Sequence, residues 1–275
     1  FRNVTGVQTC ALPIYHDSHI FIVNRILSFS EDFVLNNDQL SIFCGKNYVI
    51  TFQERYDDIF GLLRQRIHKS KGRLRQLGAG YLTYALMDAV IDYYFPLIER
   101  IGDKLDDLEE NILNATSRNT MEHLQKIKRQ LIVFRRVSFA ERDKINDILR
   151  SHIDQVNDDT KVYIYDTYDH IIQAIELIDS YREVASSLMD IYLSSINTKM
   201  NQVMKVMAVF SALFLPLTFI VGIYGMNFSR VDPETQKYMP FNMPELYTPY
   251  GYITVMLIIV LIIIIEIWVF TRRGD

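Results

Sequence analysis

Val206–Ser229 reads VMAVFSALFLPLTFIVGIYGMNFS, a stretch without one charged side chain. About 20 apolar residues in a helix cross the roughly 30 Å hydrocarbon core of a bilayer, so the stretch is read as a transmembrane helix. Pro216 is compatible with that reading, because neighbouring helices in a membrane bundle re-satisfy the carbonyl it frees. Towards the N-terminus the helical period continues back to about Thr160, with no glycine before Gly222 and no other proline. A helix over Thr160–Ile223 would be roughly 95 Å long at 1.5 Å per residue. A helix of that length needs neighbours, either a coiled coil or a symmetric bundle. Towards the C-terminus a second uncharged run covers Leu246–Ile265, followed by Glu266, Trp268, Arg272 and Arg273. The linker between the runs sets Arg230 and Lys237 against Asp232, Glu234 and Glu245, while Lys199, Lys205, Arg272 and Arg273 flank the other side. The positive-inside bias then predicts two cytoplasmic termini and an external loop, with Tyr247, Tyr250, Tyr252 and Trp268 at the interfacial belts.

The rest of the chain reads as water-facing. It has 275 residues in all and a net charge of −4, which gives no reason for nucleic-acid binding. Cys10 and Cys44 form no CxxC or Cys/His cluster, which argues against a disulfide framework or a zinc site. Val4–Ile14, VTGVQTCALPI, resembles the frame translation of a widely used sequencing adapter, so residues 1–14 are set aside as foreign and the chain is expected to be truncated at its N-terminus. Ile20–Leu27 and Gln39–Phe52 are rich in Ile, Phe, Val and Tyr, broken by Asn36-Asn37-Asp38 and Gly45-Lys46-Asn47, and read as two or three strands with a hairpin from Ser41–Cys44 into Tyr48–Phe52. A basic helix is predicted over Asp58–Leu77, interrupted by Gly78 and Gly80. An acidic helix follows over Tyr81–Asn114, then a turn with Asn119 as cap and a helix over Thr120–Ser151. Lys126, Lys128, Arg129, Arg135 and Arg136 on the latter could face the acids of the former, although two solvated faces explain the charges equally well. The resulting division is 15–56 strands of an α/β domain remnant, 57–157 helices, 158–205 stalk, 206–226 and 250–271 membrane helices, 227–249 loop and 272–275 tail. The fold class is a mainly α membrane protein.

Taken at steps of three and four, the first membrane helix carries Asn201, Met204, Ala208, Ser211, Leu215, Thr218 and Gly222 on one face. Small and polar residues line membrane helix interfaces generally, so by itself this face fits packing as well as a pore. Asp166, Asp169, Glu176, Asp179, Glu183 and Asp190 recur along the stalk; such a run is ordinarily a solvated face. No nucleophile or paired acid/base constellation points to an enzyme. A two-helix membrane sensor would need an output domain and an external ligand domain, and neither is evident.

Tyr224-Gly225-Met226-Asn227 at the outer end of the penultimate membrane helix resembles the signature of CorA-type magnesium channels. Tyr192-Leu193-Ser194-Ser195, Val203-Met204-Lys205-Val206, Leu215-Pro216-Leu217-Thr218-Phe219-Ile220, Met243-Pro244-Glu245-Leu246, Gly45-Lys46-Asn47-Tyr48-Val49 and Tyr168-Asp169-His170 are also similar to that family, from about Tyr15 to Phe270. The resemblance implies a homopentamer with a funnel-shaped cytoplasmic part and five copies of the long helix around a pore. Gly225, Met226 and Asn227 would form the selectivity ring, with Asn227 carboxamides holding hydrated Mg²⁺ through its waters and Gly225 allowing a sharp backbone turn. Met204, Met207 and Leu215 would be a hydrophobic constriction gating by dewetting, with Asn201, Ser211 and Thr218 as further pore-lining positions. Glu245 would be a loop acid, either concentrating cations or simply solvated. Asp166 and Asp190 match acids that help bind a regulatory cation between subunits. Mg²⁺ would thus be both cargo and regulator, with no organic cofactor. Transport would be passive, and Co²⁺ or Ni²⁺ could follow. A zinc or other transition-metal transporter of the same superfamily is the alternative. Glu266 departs from the family pattern and would snorkel or pair with Arg272 or Arg273.

Overall fold

The computed structural model describes residues 12–16, 18–55, 58–69, 73–114, 118–151, 155–226, 228–232 and 234–273. They fall into two compact units, one up to Ser195 and one from Ile196 onward.

The first unit opens with an antiparallel sheet in the order β1 (Ile14–Tyr15), β2 (His19–Phe29), β3 (Leu35–Gly45) and β4 (Val49–Gln53). Ile14 pairs with Phe21, so a residue set aside as foreign lies in the sheet. Side chains alternate across a strand, and the register uses that alternation. Ile20 opposite Cys44 and Ile22 opposite Ile42 are fully or almost fully buried, whereas Phe21, Phe43 and Ile50 share a row on the other, more open face. β1 covers only the start of β2. Beyond it, the outer edge of β2 is closed by helices: the Arg25 N–H donates to Glu141 at 2.9 Å, and the Tyr94 hydroxyl donates to the Arg25 carbonyl at 2.7 Å.

The helices differ from the sequence expectation in three places. The basic segment forms only α1 (Gly61–His68) and a 3-10 turn at Arg73–Arg75, rather than one helix over Asp58–Leu77. The acidic segment is two helices, α2 (Gly78–Asp92) and α3 (Tyr94–Asn114), broken at Tyr93. Pro96 explains the break, since it has no N–H for the Asp92 carbonyl and its ring crowds that oxygen. Third, α4 (Arg118–Arg150) already includes Asn119, which is therefore not its cap. Gly78, at φ +77°, supplies the left-handed residue from which α2 starts.

Stripes spaced three and four apart build the core: Ile98, Ile101, Leu105, Leu108 and Ile112 on α3, and Leu124, Ile127, Leu131 and Phe134 on α4. The α4 stripe continues through Ser138 and Glu141 to Ile145 and Ile148, so an acid occupies a core position. Lys144 meets it at 2.6 Å, with the two side chains 1% and 0% exposed. Two of the α4 cations expected to face the α3 acids have partners elsewhere: Arg135 reaches Asp179 at 2.7 Å, and the Lys126 ammonium donates to the Asp32 carbonyl at 2.6 Å. α5 runs unbroken from Asp158 to Tyr224, capped where the Asn157 side chain accepts the Thr160 N–H at 2.9 Å. Thr160, Ile164, Thr167, Ile171, Ala174, Ile175, Ile178, Ala185, Leu188 and Tyr192 are its buried positions, and none of its residues beyond Tyr192 is buried.

The second unit holds the apolar end of α5, a loop with a 3-10 turn at Pro244–Tyr247, and α6 (Gly251–Arg273). Both helices are long and apolar enough to cross a membrane. Phe219 is 68% exposed and Leu215 is 75% exposed. Apolar surface on this scale is left for lipid or a partner to cover.

Candidate functional site

The unbroken geometry of α5 places Asn201, Met204, Ser211, Leu215 and Thr218 on one face, all exposed. Met207 stands on the flank of that face, about 70° from its centre at 100° per residue. The Thr218 hydroxyl donates back to the Phe214 carbonyl at 2.8 Å, so its proton is engaged within the helix. At Gly225 the helix gives way to a turn, followed by a bend at Met226. The Gly225 N–H donates to Val221 at 2.9 Å in the helical pattern, the next bond tightens from Met226 to Ile223 at 3.1 Å, and Gly225 is not among the residues of positive φ. Asn227 lies outside the described residues.

Glu245 is neither a free loop acid nor simply solvated. Its carboxylate accepts the Tyr224 hydroxyl at 2.7 Å. Its own backbone N–H first, and Tyr224 second, hold the carboxyl below the usual range. The turn carrying Glu245 begins at Met243 in the left-handed conformation (φ 42°) and is closed by Thr248, whose N–H and hydroxyl both donate to the Glu245 carbonyl, at 3.2 and 2.8 Å. Gly251 admits that carbonyl: a Cβ there would sit 1.8 Å from the oxygen. On the far side of the signature, the Arg230 guanidinium lies 5.0 Å from the Tyr238 ring centre and 4.9 Å from that of Tyr247. Below the Tyr224–Glu245 bond is an apolar cavity of about 380 Å³ lined by Ile220, Val221, Tyr224, Tyr252, Val255 and Ile259. Arg272 stacks on Trp268 at 5.0 Å, and among the described residues one carboxylate oxygen of Glu266 has no hydrogen-bond partner.

In the first unit, a set of potential metal ligands escaped the sequence reading. Asp88 and Asp92, one turn apart on α2, meet His170 of α5, with one ligand atom from each residue lying within 4.8 Å of the others. His170 Nδ1 is 3.3 Å from Asp92 and 3.7 Å from Asp88. Burial pushes the Asp88 carboxyl up, against a 2.9 Å hydrogen bond from Thr167, and the Asp92 charge pushes the same way. A bound cation would relieve both. Asp166 and Asp190 are exposed on α5, about 36 Å apart along the helix axis, so within one chain they cannot share an ion. Asp166 lies near enough to add to the upward push that burial and Asp88 exert on the Tyr84 phenol.

The family described as "CorA-like Mg2+ transporter protein" matches residues 7–273. The chain belongs to this CorA-like family. The match starts inside the adapter-like stretch. Among CorA-like relatives, the cobalt/magnesium transport protein CorA of Thermotoga maritima is 35% identical over 260 residues, 94% of this chain and 71% of that one. The complete structure of the CorA magnesium transporter from Methanocaldococcus jannaschii superposes with a TM-score of 0.83 at 28% identity, covering 98% of this chain and 81% of that one. The zinc transport protein ZntB of Yersinia enterocolitica is 27% identical over 162 residues, 58% of this chain and 49% of that one. The CorA-like family is one of membrane transporters and not of enzymes.

Proposed function

We propose that the chain forms a homopentameric channel carrying hydrated Mg²⁺ down the membrane potential, with Co²⁺ and Ni²⁺ as lesser substrates. The observation that carries this reading is Tyr224-Gly225-Met226-Asn227 at the end of an unbroken α5 whose exposed Asn201–Thr218 face is small, polar or flexible, in a CorA-like chain. Mg²⁺ dehydrates reluctantly, so a ring of Asn227 carboxamides touching its water shell selects it without stripping it. Gly225 and Met226 shape that ring. Met204 and Leu215, with Met207 at the flank, form the dewetting gate, and Asn201, Ser211 and Thr218 line the path. A divalent ion crossing the whole field gains about 4.6 kcal/mol per 100 mV, twice the single-charge value, which drives uptake without nucleotide hydrolysis. Lys199, Lys205, Arg272 and Arg273 keep both termini cytoplasmic in the plasma or inner membrane, with the 227–249 loop outside.

The regulatory ion is Mg²⁺ too. Asp166 and Asp190 act across subunit boundaries, and Asp88, Asp92 and His170 offer a further ligand set within each chain. Cation binding to these carboxylates favours the closed assembly by cancelling their repulsion.

Metal-dependent flux in liposomes tests the reading, with Asn227→Ala as control. Wild-type Mg²⁺ uptake is expected and the variant should lose it; unchanged uptake in the variant removes the selectivity ring. The similarity to ZntB supports zinc as the second reading, and uptake of Zn²⁺ in preference to Mg²⁺ would establish it.

A further inference from the structure

The Pro244–Tyr247 turn touches the chain on both sides of the signature. Glu245 takes the hydroxyl of Tyr224 at 2.7 Å, and Tyr247, two residues on, stacks on Arg230 at 4.9 Å. Tyr224 and Arg230, which flank the signature in the chain, are thus both held by one short turn. That turn is itself braced by Thr248 on the Glu245 carbonyl and by Gly251, where any side chain would strike the same oxygen. A small hairpin completes the bracket: Val231 bridges Tyr238, the Met239 N–H donates to Arg230 at 2.8 Å, and the Asn242 amide donates to the Ser229 carbonyl at 2.9 Å.

We infer that Glu245, Tyr224 and Tyr247 are positioning residues that hold the Gly225-Met226-Asn227 segment in its cation-selecting shape, and that Glu245 works through its hydrogen bond rather than by attracting cations with its charge. The inference rests on the channel reading above. Three observations favour a latch over an attractor. The carboxylate is already engaged by a phenol and a backbone N–H, both of which draw its charge inward. The anchored residue, Tyr224, is the last of α5 and immediately precedes the signature. Arg230, a cation close to a cation path, is sandwiched between two tyrosine faces, which spread its charge over π surface and fix the exit of the segment as Tyr224 fixes its start.

The discriminating substitution is Glu245→Gln. Glutamine removes the charge but keeps an oxygen that can accept the Tyr224 hydroxyl, whereas Glu245→Leu removes both and Tyr224→Phe removes the donor. Mg²⁺ uptake by the full chain in liposomes is read as KM and maximal rate. Glu245→Leu and Tyr224→Phe should each raise KM roughly tenfold, the low end for a hydrogen bond to a charged group. Their combination should be no worse than either, and Glu245→Gln should stay within about twofold of wild type. Tyr247→Leu should raise KM through the other anchor. If Glu245→Gln behaves like Glu245→Leu while Tyr224→Phe leaves KM unchanged, the acid is an electrostatic attractor and the latch is wrong. Amide hydrogen exchange probes the latch without transport: Gly225, Met226 and Phe228 should exchange faster in Tyr224→Phe and Glu245→Leu but not in Glu245→Gln, and equal exchange in all four proteins overturns the inference. Absence of Mg²⁺ flux in wild type would instead refute the channel reading and leave the exchange comparison to decide this one.

Discussion

Lys144→Met should be among the most damaging single changes in the first unit. Lys144 and Glu141 are 2.6 Å apart and almost wholly buried, and Glu141 also accepts the Arg25 N–H that closes the edge of β2. Methionine fills much of the lysine volume, so the loss comes from taking away the ammonium that the buried Glu141 carboxylate meets at 2.6 Å. Breaking one side of a buried pair costs about 3–5 kcal/mol. For a unit of this size each kcal/mol lowers the melting temperature by about 2–4 °C, so the transition should fall by roughly 6–20 °C. The Lys104–Asp107 pair is the internal control: its spacing is a similar 2.8 Å, but its side chains are 53% and 61% exposed. Solvent screening leaves such a pair worth about 0–1 kcal/mol, so Lys104→Met should move the transition by under roughly 4 °C. Adding Glu141→Gln to Lys144→Met should restore part of the loss, because the amide keeps an acceptor for Arg25 and brings no charge. Thermal unfolding of the detergent-solubilised chain, followed by circular dichroism, measures all of these. A Lys144→Met transition no lower than that of Lys104→Met, or a double variant as unstable as the sum of its singles, would refute the reasoning.

Gly80→Ala should destabilise the first unit by about 1–3 kcal/mol, since its Cβ would lie 2.0 Å from the Gln155 carbonyl oxygen and backbone must move. Gly78→Ala meets nothing within 4 Å and should cost less, through its positive φ alone; urea midpoints rank the two. At Asp179, burial opposes the charged form, but hydrogen bonds from Arg135 and Arg182 outweigh it and hold the carboxyl below its ordinary 3.8. Its stabilising effect is therefore complete above about pH 3.8 and is lost as pH falls through the depressed value. Asp179→Asn should accordingly flatten the acid limb of the stability profile, and an unchanged limb would show that the pair contributes nothing. Mg²⁺ at a hundredfold excess over its Kd should stabilise the chain by about 2.7 kcal/mol if it binds the native state alone. Asp88→Asn should shrink that gain in a thermal shift assay, and a gain equal to wild type would remove Asp88 from the ligands.

What the sequence made legible was whatever depends on neighbours along the chain. The uninterrupted period of α5, the two apolar runs and the β3–β4 hairpin all follow from local pattern, and the structure has them. The break at Tyr93 was equally local: Pro96 announces it, but the strong apolar period on either side masks the signal. Glu141 also had a sequence mark, standing on the α4 stripe between Phe134 and Ile145, where an acid must find a buried partner. Asp88 and Asp92 share a helix face by their spacing of four, yet His170 joins them only through tertiary packing, which no local period encodes. The Tyr224–Glu245 bond was hidden for the same reason. As a loop acid, Glu245 reads as solvated, and only the fold of the Pro244–Tyr247 turn gives it a partner.

The closed edge of β2 has a consequence for how the protein is made. Arg25 and the Glu141 that seals it are 116 residues apart. At about 5–20 residues per second, a ribosome would add the seal roughly 6–23 s after the strand it covers. Throughout that interval β2 and β3 can pair as a hairpin, since their contacts are close in sequence, but the outer margin of β2 presents free backbone groups to any other nascent chain. Slowing translation between β4 and α4 should therefore lower the yield of soluble chain while leaving the stability of the finished protein unchanged.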